Sequence, residues 1–349
     1  MGMFDNFLQH DETVFKEQLV LDYEYLPHIL KFRENQQQYI ANLLKPLFSS
    51  KMSSNILITG SPGIGKTACC RHILREMENF SDKIYGIYIN CWKQDTSYKV
   101  LVDICHQLGY KWTANKKTNE LMNEISKIVN KKAAVIIMDE VDKLKEEQII
   151  YQLLEDLFRK SLILITNNKE FLATLDQRTK SRLIPEVIEF VPYSYKETYD
   201  ILYERKKFAF YENVFPDDLF EHIAQKASDE KDIRIGLFLL KETGNATELR
   251  SSKKVSQEDI EKAISKVSSF QQTKTILDDE EKELLVMIKN NPGSSSSEIY
   301  TLYNQKFNKT DRTFRRKIST LKESDLINVT EERVNGTLMP YFFPKESNS

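Results

Sequence analysis

The hydrophobic pattern changes character twice along the chain. Between about residues 55 and 190, short continuous apolar runs alternate with stretches of helical period: NILIT (55–59), IYGIYIN (84–90), AVIIM (134–138) and SLILIT (161–166). Such runs, separated by helical patterns, predict buried strands of a mostly parallel sheet covered on both faces. Residues 1–50 read as largely helical, with RENQQQYIANLLKPLF (33–48) strongly periodic and broken at Pro46. Beyond Pro192 the apolar runs disappear. Segments 195–211, 217–228, 232–243 and 256–268 each carry helical spacing with no strand candidate between them, which predicts an all-helical unit over 193–270.

A polar stretch, SFQQTKTILDDE (269–280), then precedes a third unit expected over 278–345. EKELLVMIKNN, SEIYTLYNQKF and TDRTFRRKISTLKES read as three helices, and LINVTEERVNGTLMPYFF as two strands turning at Asn335-Gly336. Three helices closing on a hairpin describe a winged helix, and the serines at 294–297 stand where they can cap its second helix. The fold expected is therefore α/β over 1–192, followed by helical and winged-helix units.

Composition narrows the picture without changing it. A chain of 349 residues, 40% hydrophobic and 29% charged, is expected to fold as two or three soluble domains. No apolar run reaches 18 residues and the first 15 residues are acidic and mixed, so neither a membrane span nor a targeting peptide is predicted. Asn6 stands where a myristoylation signal would carry Ser or Thr. Cys69, Cys70, Cys91 and Cys105 form no C-x-x-C pair and lie in apolar or semi-apolar stretches, which predicts buried, reduced thiols in a cytoplasmic protein. The five histidines are scattered, against a zinc site. Net charge is −2, yet Lys306 to Lys322 holds seven Lys or Arg against one Asp, a local excess of +6.

The candidate chemistry begins where the first strand ends. GSPGIGKT (60–67) fits G-x-x-x-x-G-K-[ST] between a predicted strand and a predicted helix. Gly60, Gly63 and Gly65 let the backbone N–H groups of Ser61, Ile64 and their neighbours turn inward past Pro62, around the phosphates of ATP or ADP. The helix opening at Thr67 and Ala68 offers its positive end to the same charge. Lys66 would reach the β- and γ-phosphates, and Thr67 would ligate Mg²⁺. AAVIIMDEVD (133–142) ends a strand in paired carboxylates: Asp139 for the Mg²⁺, Glu140 to polarise an attacking water. SLILITNN (161–168) brings polar amides to the same edge, and KDIRIGLFLLKE (231–242) places Arg234 at the start of an amphipathic helix, from which it could reach a γ-phosphate.

At the other end of the chain, Phe314, Ile318 and Leu321 share one helical face while Arg312, Arg316 and Ser319 lie opposite, with Arg315 and Thr313 beside them. This is the arrangement of a recognition helix, apolar face inward and guanidinium groups toward a DNA groove or phosphates. The hairpin offers Arg333, Asn335 and Gly336 to the minor groove. On this pattern, replacing Arg315 and Arg316 by Ala is expected to weaken duplex binding.

Taken together, these features resemble those of archaeal ORC-type DNA replication initiators, AAA+ ATPases related to origin recognition complex subunits and helicase-loading cell-division-cycle proteins. The likeness runs from about residue 20 to 345. YLPHILKFREN (25–35) is similar to the family's Tyr-x-Pro and Arg-Glu segment, and ITNNKEFLATLDQRTKSRLIPEVIEFVPYSYKETYDILYERKKFAF (165–210) to the long stretch after its sensor strand. The resemblance implies that Tyr25, Pro27, Arg33 and Tyr203 contact the nucleotide. It makes Asn167 and Arg234 the two sensors, and Arg182, or else Arg178, a finger toward a neighbouring subunit's nucleotide. It also implies double-stranded origin DNA, the replicative helicase and other initiator subunits as partners, slow ATP turnover serving as a switch, and a cytoplasmic, nucleoid-associated protein. Two residues depart from the family pattern: Gly236 where Ala is usual, and Asn168 where Asp is common. A DNA-contacting insertion is expected near Thr96–Gly109. The competing expectation is a signalling or defence-type P-loop ATPase whose winged helix contacts protein, a class marked by appended repeat or sensor domains.

Overall fold

The computed structural model describes residues 13–273, 278–323, 326–334 and 337–344. Five parallel strands form one sheet: β1 (Ile56–Thr59), β2 (Ile84–Asn90), β3 (Ala133–Asp139), β4 (Lys160–Thr166) and β5 (Glu186–Glu189), in the order β2-β3-β4-β1-β5. Alternate side chains of a strand point to opposite faces. Ile56, Ile58, Val135, Ile137, Ile163 and Ile165 thus pack with α1 (Glu34–Phe48) and α2 (Lys66–Phe80). On the other face Leu57, Ile136, Met138, Leu162 and Leu164 pack with α3 (Ser97–Gln107), α4 (Thr118–Val129) and α5 (Gln148–Asp156). Because helices cover both faces, β3 is buried along its whole length. All four cysteines are free and buried in this layered core.

Two expectations for this region need correction. Residues 13–33 are not largely helical: they carry a short 3-10 turn, Gln18–Leu21, and Phe15 bridges antiparallel to Phe210. The segment is extended because it is held against the later helices, with Lys16 N–H donating to Ala209 O at 2.8 Å. Nor does Pro46 break α1, which runs on to Phe48. Proline there lies in the last turn, so the one lost bond, to the carbonyl four residues before it, weakens only the end of the helix. The fifth strand went unforeseen because β5 is an edge strand, EVIE, with only Ile188 buried. The peptides after β4 wind into α6 (Phe171–Thr174) and α7 (Gln177–Leu183).

The helical segment follows its pattern closely: α8 (Tyr195–Ala209), α9 (Asp217–Asp229), α10 (Ile233–Leu249) and α11 (Gln257–Thr273). Ser194 and Glu197 form a capping box at the start of α8. Helix α10 continues six residues past its expected end at 243, because Thr243, Gly244 and Thr247 are buried within the packing rather than ending the helix. By internal contacts the chain divides into two compact units, one through Ala263 and one from Ile264.

The second unit runs α12 (Asp279–Asn290), β6 (Ser294–Ser295), α13 (Ser296–Phe307), α14 (Asp311–Glu323), β7 (Ile327–Val334) and β8 (Thr337–Pro344), with sheet order β6-β8-β7. This is the element order of a winged helix. Ser295 does cap α13, accepting from the Glu298 N–H in a capping box. Phe314 and Leu321 are fully buried with Leu284, Ile299, Tyr303 and Phe342, and Ile318 packs at their edge. Among the described residues, no helix is long and apolar enough to cross a membrane.

Candidate functional site

The carboxyl ends of β1, β3 and β4 converge because those strands pair in register, Thr59 beside Thr166 and Met138 beside Leu164. Residues just beyond them therefore share one place. Gly63 and Gly65 turn the loop with φ of 70° and 89°, conformations costly to any side chain. Gly65 is the N-cap of α2, and no side chain caps that helix among the described residues. Its first N–H groups are of the kind that bind anions.

Lys66 donates through Nζ to Gly60 O and Ser61 O, both at 2.7 Å, and to Asn167 Oδ1 at 2.8 Å. Burial lowers its pKa to about 8, against the opposing pull of Asp139. A cation held this way by neutral oxygens would gain from an anionic partner. Thr67 Oγ1 donates to Asp139 Oδ2 at 2.6 Å, and the Glu140 N–H donates to Asp139 Oδ1 at 2.9 Å. Glu140 sits in the left-handed region at φ 54°, so its carboxylate faces the cavity rather than following the strand alternation. Burial, then the charges of Asp139 and Asp142, pushes its pKa up.

The helical segment closes the site. The Ile233 N–H donates to Gly63 O at 3.2 Å, and a Cβ on Gly63 would stand 1.8 Å from Asp232 Oδ1. Asp232 caps α10 and grips Arg234 through Nε at 3.0 Å and Nη2 at 2.6 Å. The Arg234 side chain thus lines the same cavity as Lys66, Thr67, Asp139, Glu140 and Asn167, a space of about 410 Å³. Gly236, the departure noted above, has a packing reason: a Cβ there would lie 2.4 Å from Leu202 Cδ1 and 3.0 Å from Ala227 Cβ.

Of the other residues expected at the nucleotide, Pro62, Gly63, Gly65 and Ala68 line the cavity with Tyr25 and Pro27. Gly60 and Ser61 contribute carbonyls to Lys66 instead. Ile64 is buried in the core. Arg33, also expected at the nucleotide, supports the loop and is not among the residues that line the cavity. It is buried behind the loop, donating to Ile64 O at 2.9 Å and Val191 O at 2.8 Å, with its guanidinium 3.9 Å from the Tyr193 ring centroid. Tyr203, expected there too, does not line the cavity. It stacks on Tyr199 and meets Phe220 edge-on, on the side of α8 away from the cavity.

The cavity-facing stripe of α8 is Ile201, Glu204, Arg205 and Phe208, at i, i+3, i+4 and i+7. Tyr193 also lines the cavity and was not anticipated. Arg182 pairs with Glu155 at 2.7 Å on α7 and does not line the cavity. Arg178 lies exposed on the first turn of the same helix.

The donor set suits Mg²⁺. A hydroxyl and a carboxylate, Thr67 and Asp139, touch each other beneath a loop shaped for phosphate. Among the described residues no three His, Cys, Asp or Glu cluster as a metal cage. Mg²⁺ commonly takes one or two protein oxygens and completes its shell with phosphate and water.

In the second unit Arg312, Arg316 and Ser319 are exposed along α14, and Thr313 is half-buried. The charge excess is smaller than its count suggests. Lys317 is buried against Asp278, Glu280 and Glu281, Lys306 pairs with Glu283 at 2.7 Å and Arg315 with Asp311 at 2.7 Å. Among the described residues, Arg312, Arg316 and Lys322 are exposed and carry no ion pair. The backbone of Arg333 pairs with Leu338 in the hairpin, whereas Asn335 and Gly336 lie outside the described residues. The segment Thr96–Gly109 is α3, capped by Thr96 and packed against the sheet.

Comparisons with known proteins agree with this geometry. Residues 51–175 match the family model of an AAA domain, and residues 199–265 that of a Cdc6 AAA+ ATPase-type lid domain. The chain is 33% identical to ORC1-type DNA replication protein 1 of Archaeoglobus fulgidus, over 94% of this chain and 86% of the relative. It is 34% identical to ORC1-type DNA replication protein 1 of Sulfurisphaera tokodaii, over 72% and 66%. The solved structure of the Aeropyrum pernix ORC1 protein in complex with DNA superposes with a TM-score of 0.73 at 26% identity, covering 96% of this chain and 94% of that one. With an AAA+ core and a Cdc6-type lid built around one phosphate loop, the chain belongs to the family of archaeal ORC1-type DNA replication proteins.

Proposed function

We propose that this protein is an ATP-dependent replication initiator that binds duplex origin DNA and helps recruit the replicative helicase. The observation that carries the proposal is the junction at Gly63. There the phosphate loop meets both the Ile233 N–H and the carboxylate that holds Arg234. Whatever occupies the loop therefore bears directly on the position of the helical lid. ATP and ADP differ by the γ-phosphate, the group that Lys66, Asn167 and Arg234 would face, so nucleotide state becomes lid position.

In this reading Lys66 holds the β- and γ-phosphates, Thr67 and Asp139 hold Mg²⁺, and Glu140 orients the attacking water and accepts its proton. The metal would supply charge neutralisation on the phosphates. Asn167 and Arg234 steady the transferring group, and slow turnover suits a switch. Arg182, with Arg178 as the alternative, would serve a neighbouring initiator subunit. Arg312 and Arg316 would bind DNA with Thr313 and Ser319 beside them, in keeping with the DNA held by the Aeropyrum pernix relative.

Footprinting on the source organism's genomic DNA tests the proposal. Protection of a discrete intergenic repeat is expected. Uniform binding, or none, would sink it and leave the signalling-type ATPase standing.

A further inference from the structure

Asp139 is held by a residue outside both nucleotide motifs. Tyr88, on the neighbouring strand β2, donates its hydroxyl to Asp139 Oδ2 at 2.8 Å. Thr67 Oγ1 donates to the same oxygen. The strand pairing that sets Tyr88 beside Ile137 fixes its place along β3, and the Arg71 guanidinium of α2 lies 5.5 Å from its ring centroid.

The two donors differ once a cation arrives. A hydroxyl that ligates a metal must place its oxygen for the ion, so its approach to the carboxylate is set by the metal's position. Tyr88 approaches from β2 and its bond can persist. A carboxylate ligand fixed by such an outer donor keeps its geometry, and loss of the donor typically weakens metal affinity.

We propose that Tyr88 is the positioning residue for the cation at this site, fixing the rotation of the Asp139 carboxylate when Thr67 turns to the metal. The proposal rests on reading the loop as a metal–nucleotide site, and it adds what that reading lacks: a residue of β2 with a stated role.

Tyr88→Phe keeps the ring and its contact with Arg71 and removes only the hydroxyl. The test titrates Mg²⁺ into the full chain with a fluorescent, non-hydrolysable ATP analogue at fixed concentration, and measures analogue affinity separately in EDTA. The Mg²⁺ midpoint of the variant is expected to rise about ten- to a hundredfold, with the EDTA affinity within about twofold of the parent. An unchanged midpoint overturns the proposal. So does an equal loss in EDTA, which would mark Tyr88 as mere packing. If the parent itself binds the analogue without regard to Mg²⁺, the metal–nucleotide reading falls first and Tyr88 with it. That outcome appears in the parent curve alone.

Discussion

On the proposed reading Lys66 and Glu140 divide the work of the site, and each is set up by a different physical device. Lys66 is buried among carbonyl and amide oxygens that substitute poorly for phosphate, so its replacement removes the main cationic contact. Lys66→Ala is expected to abolish nucleotide binding, measured by fluorescence of a labelled ATP. Glu140 is turned into the cavity by a left-handed backbone and does not touch Lys66 or Thr67 in the hydrogen-bond network described above. Glu140→Gln should therefore bind ATP as tightly as the parent while losing turnover, read as retained ATP after single-turnover incubation. If the variant hydrolysed ATP at the parental rate, Glu140 would not be the group that orients water.

At the scale of elements, the lid depends on close packing and one buried carboxylate. Gly236 lets α10 approach α8, and Gly236→Ala would drive a methyl into Leu202. Overpacking of this kind costs about 1–3 kcal/mol. Thermal unfolding should show that loss, and Leu202→Ala in the same chain should return part of it, because the two side chains compete for one space.

The clasp between α10 and α11 is Asp259. It is fully buried and accepts from Arg250 Nη2 at 2.7 Å, Thr247 Oγ1 at 3.1 Å and the Ser256 N–H at 2.9 Å. Burial pushes its carboxyl up, but the Arg250 and Ser256 bonds outweigh it and hold the pKa at about 2. The folded value lies below the unfolded one, so this stabilisation is present above about pH 4 and is lost as pH falls toward 2. Asp259→Asn should unfold at a lower temperature than the parent at pH 7, and the gap should close in acid. A gap that is constant with pH would exclude the ionised clasp.

At the scale of the whole molecule, charge is arranged by face rather than by unit. Over residues 278–345 eleven Lys and Arg stand against eleven Asp and Glu, so this stretch carries no net charge. Helix α12 and its N-cap Asp278 supply the acids that neutralise Lys306 and Lys317. Arg315 is exposed but already paired with Asp311. Replacing Arg312 and Arg316 by Ala should lower the slope of log affinity against log salt by about 2, and Arg315→Ala by less than about 1. Equal effects of all three would mean that the Arg315 pair opens on DNA.

The phosphate loop, the paired carboxylates and the strand-borne Asn167 were legible in the sequence because each is a local pattern on a regular element. So were the four central strands and the capped helices, whose burial and caps lie within a few residues of one another. What stayed hidden depends on contacts between distant segments. Edge strand β5 has too little buried surface to show a pattern, and the extended run before α1 takes its shape from α8. Arg33 and Tyr203 carry the right chemistry for a nucleotide, but the fold turns one behind the loop and the other to the far side of its helix.

The sequence by itself determined the class of chemistry, since Gly63, Lys66, Thr67, Asp139 and Glu140 are defined by spacing along the chain. Only the tertiary structure decided which of the remaining residues reach that chemistry. Strand pairing placed Tyr88 on Asp139, helix packing placed Asp232, which holds Arg234, against Gly63, and ion pairing within the second unit left Arg312 and Arg316 exposed. Period and spacing specify which way a side chain faces on its own element, but not which element it will meet.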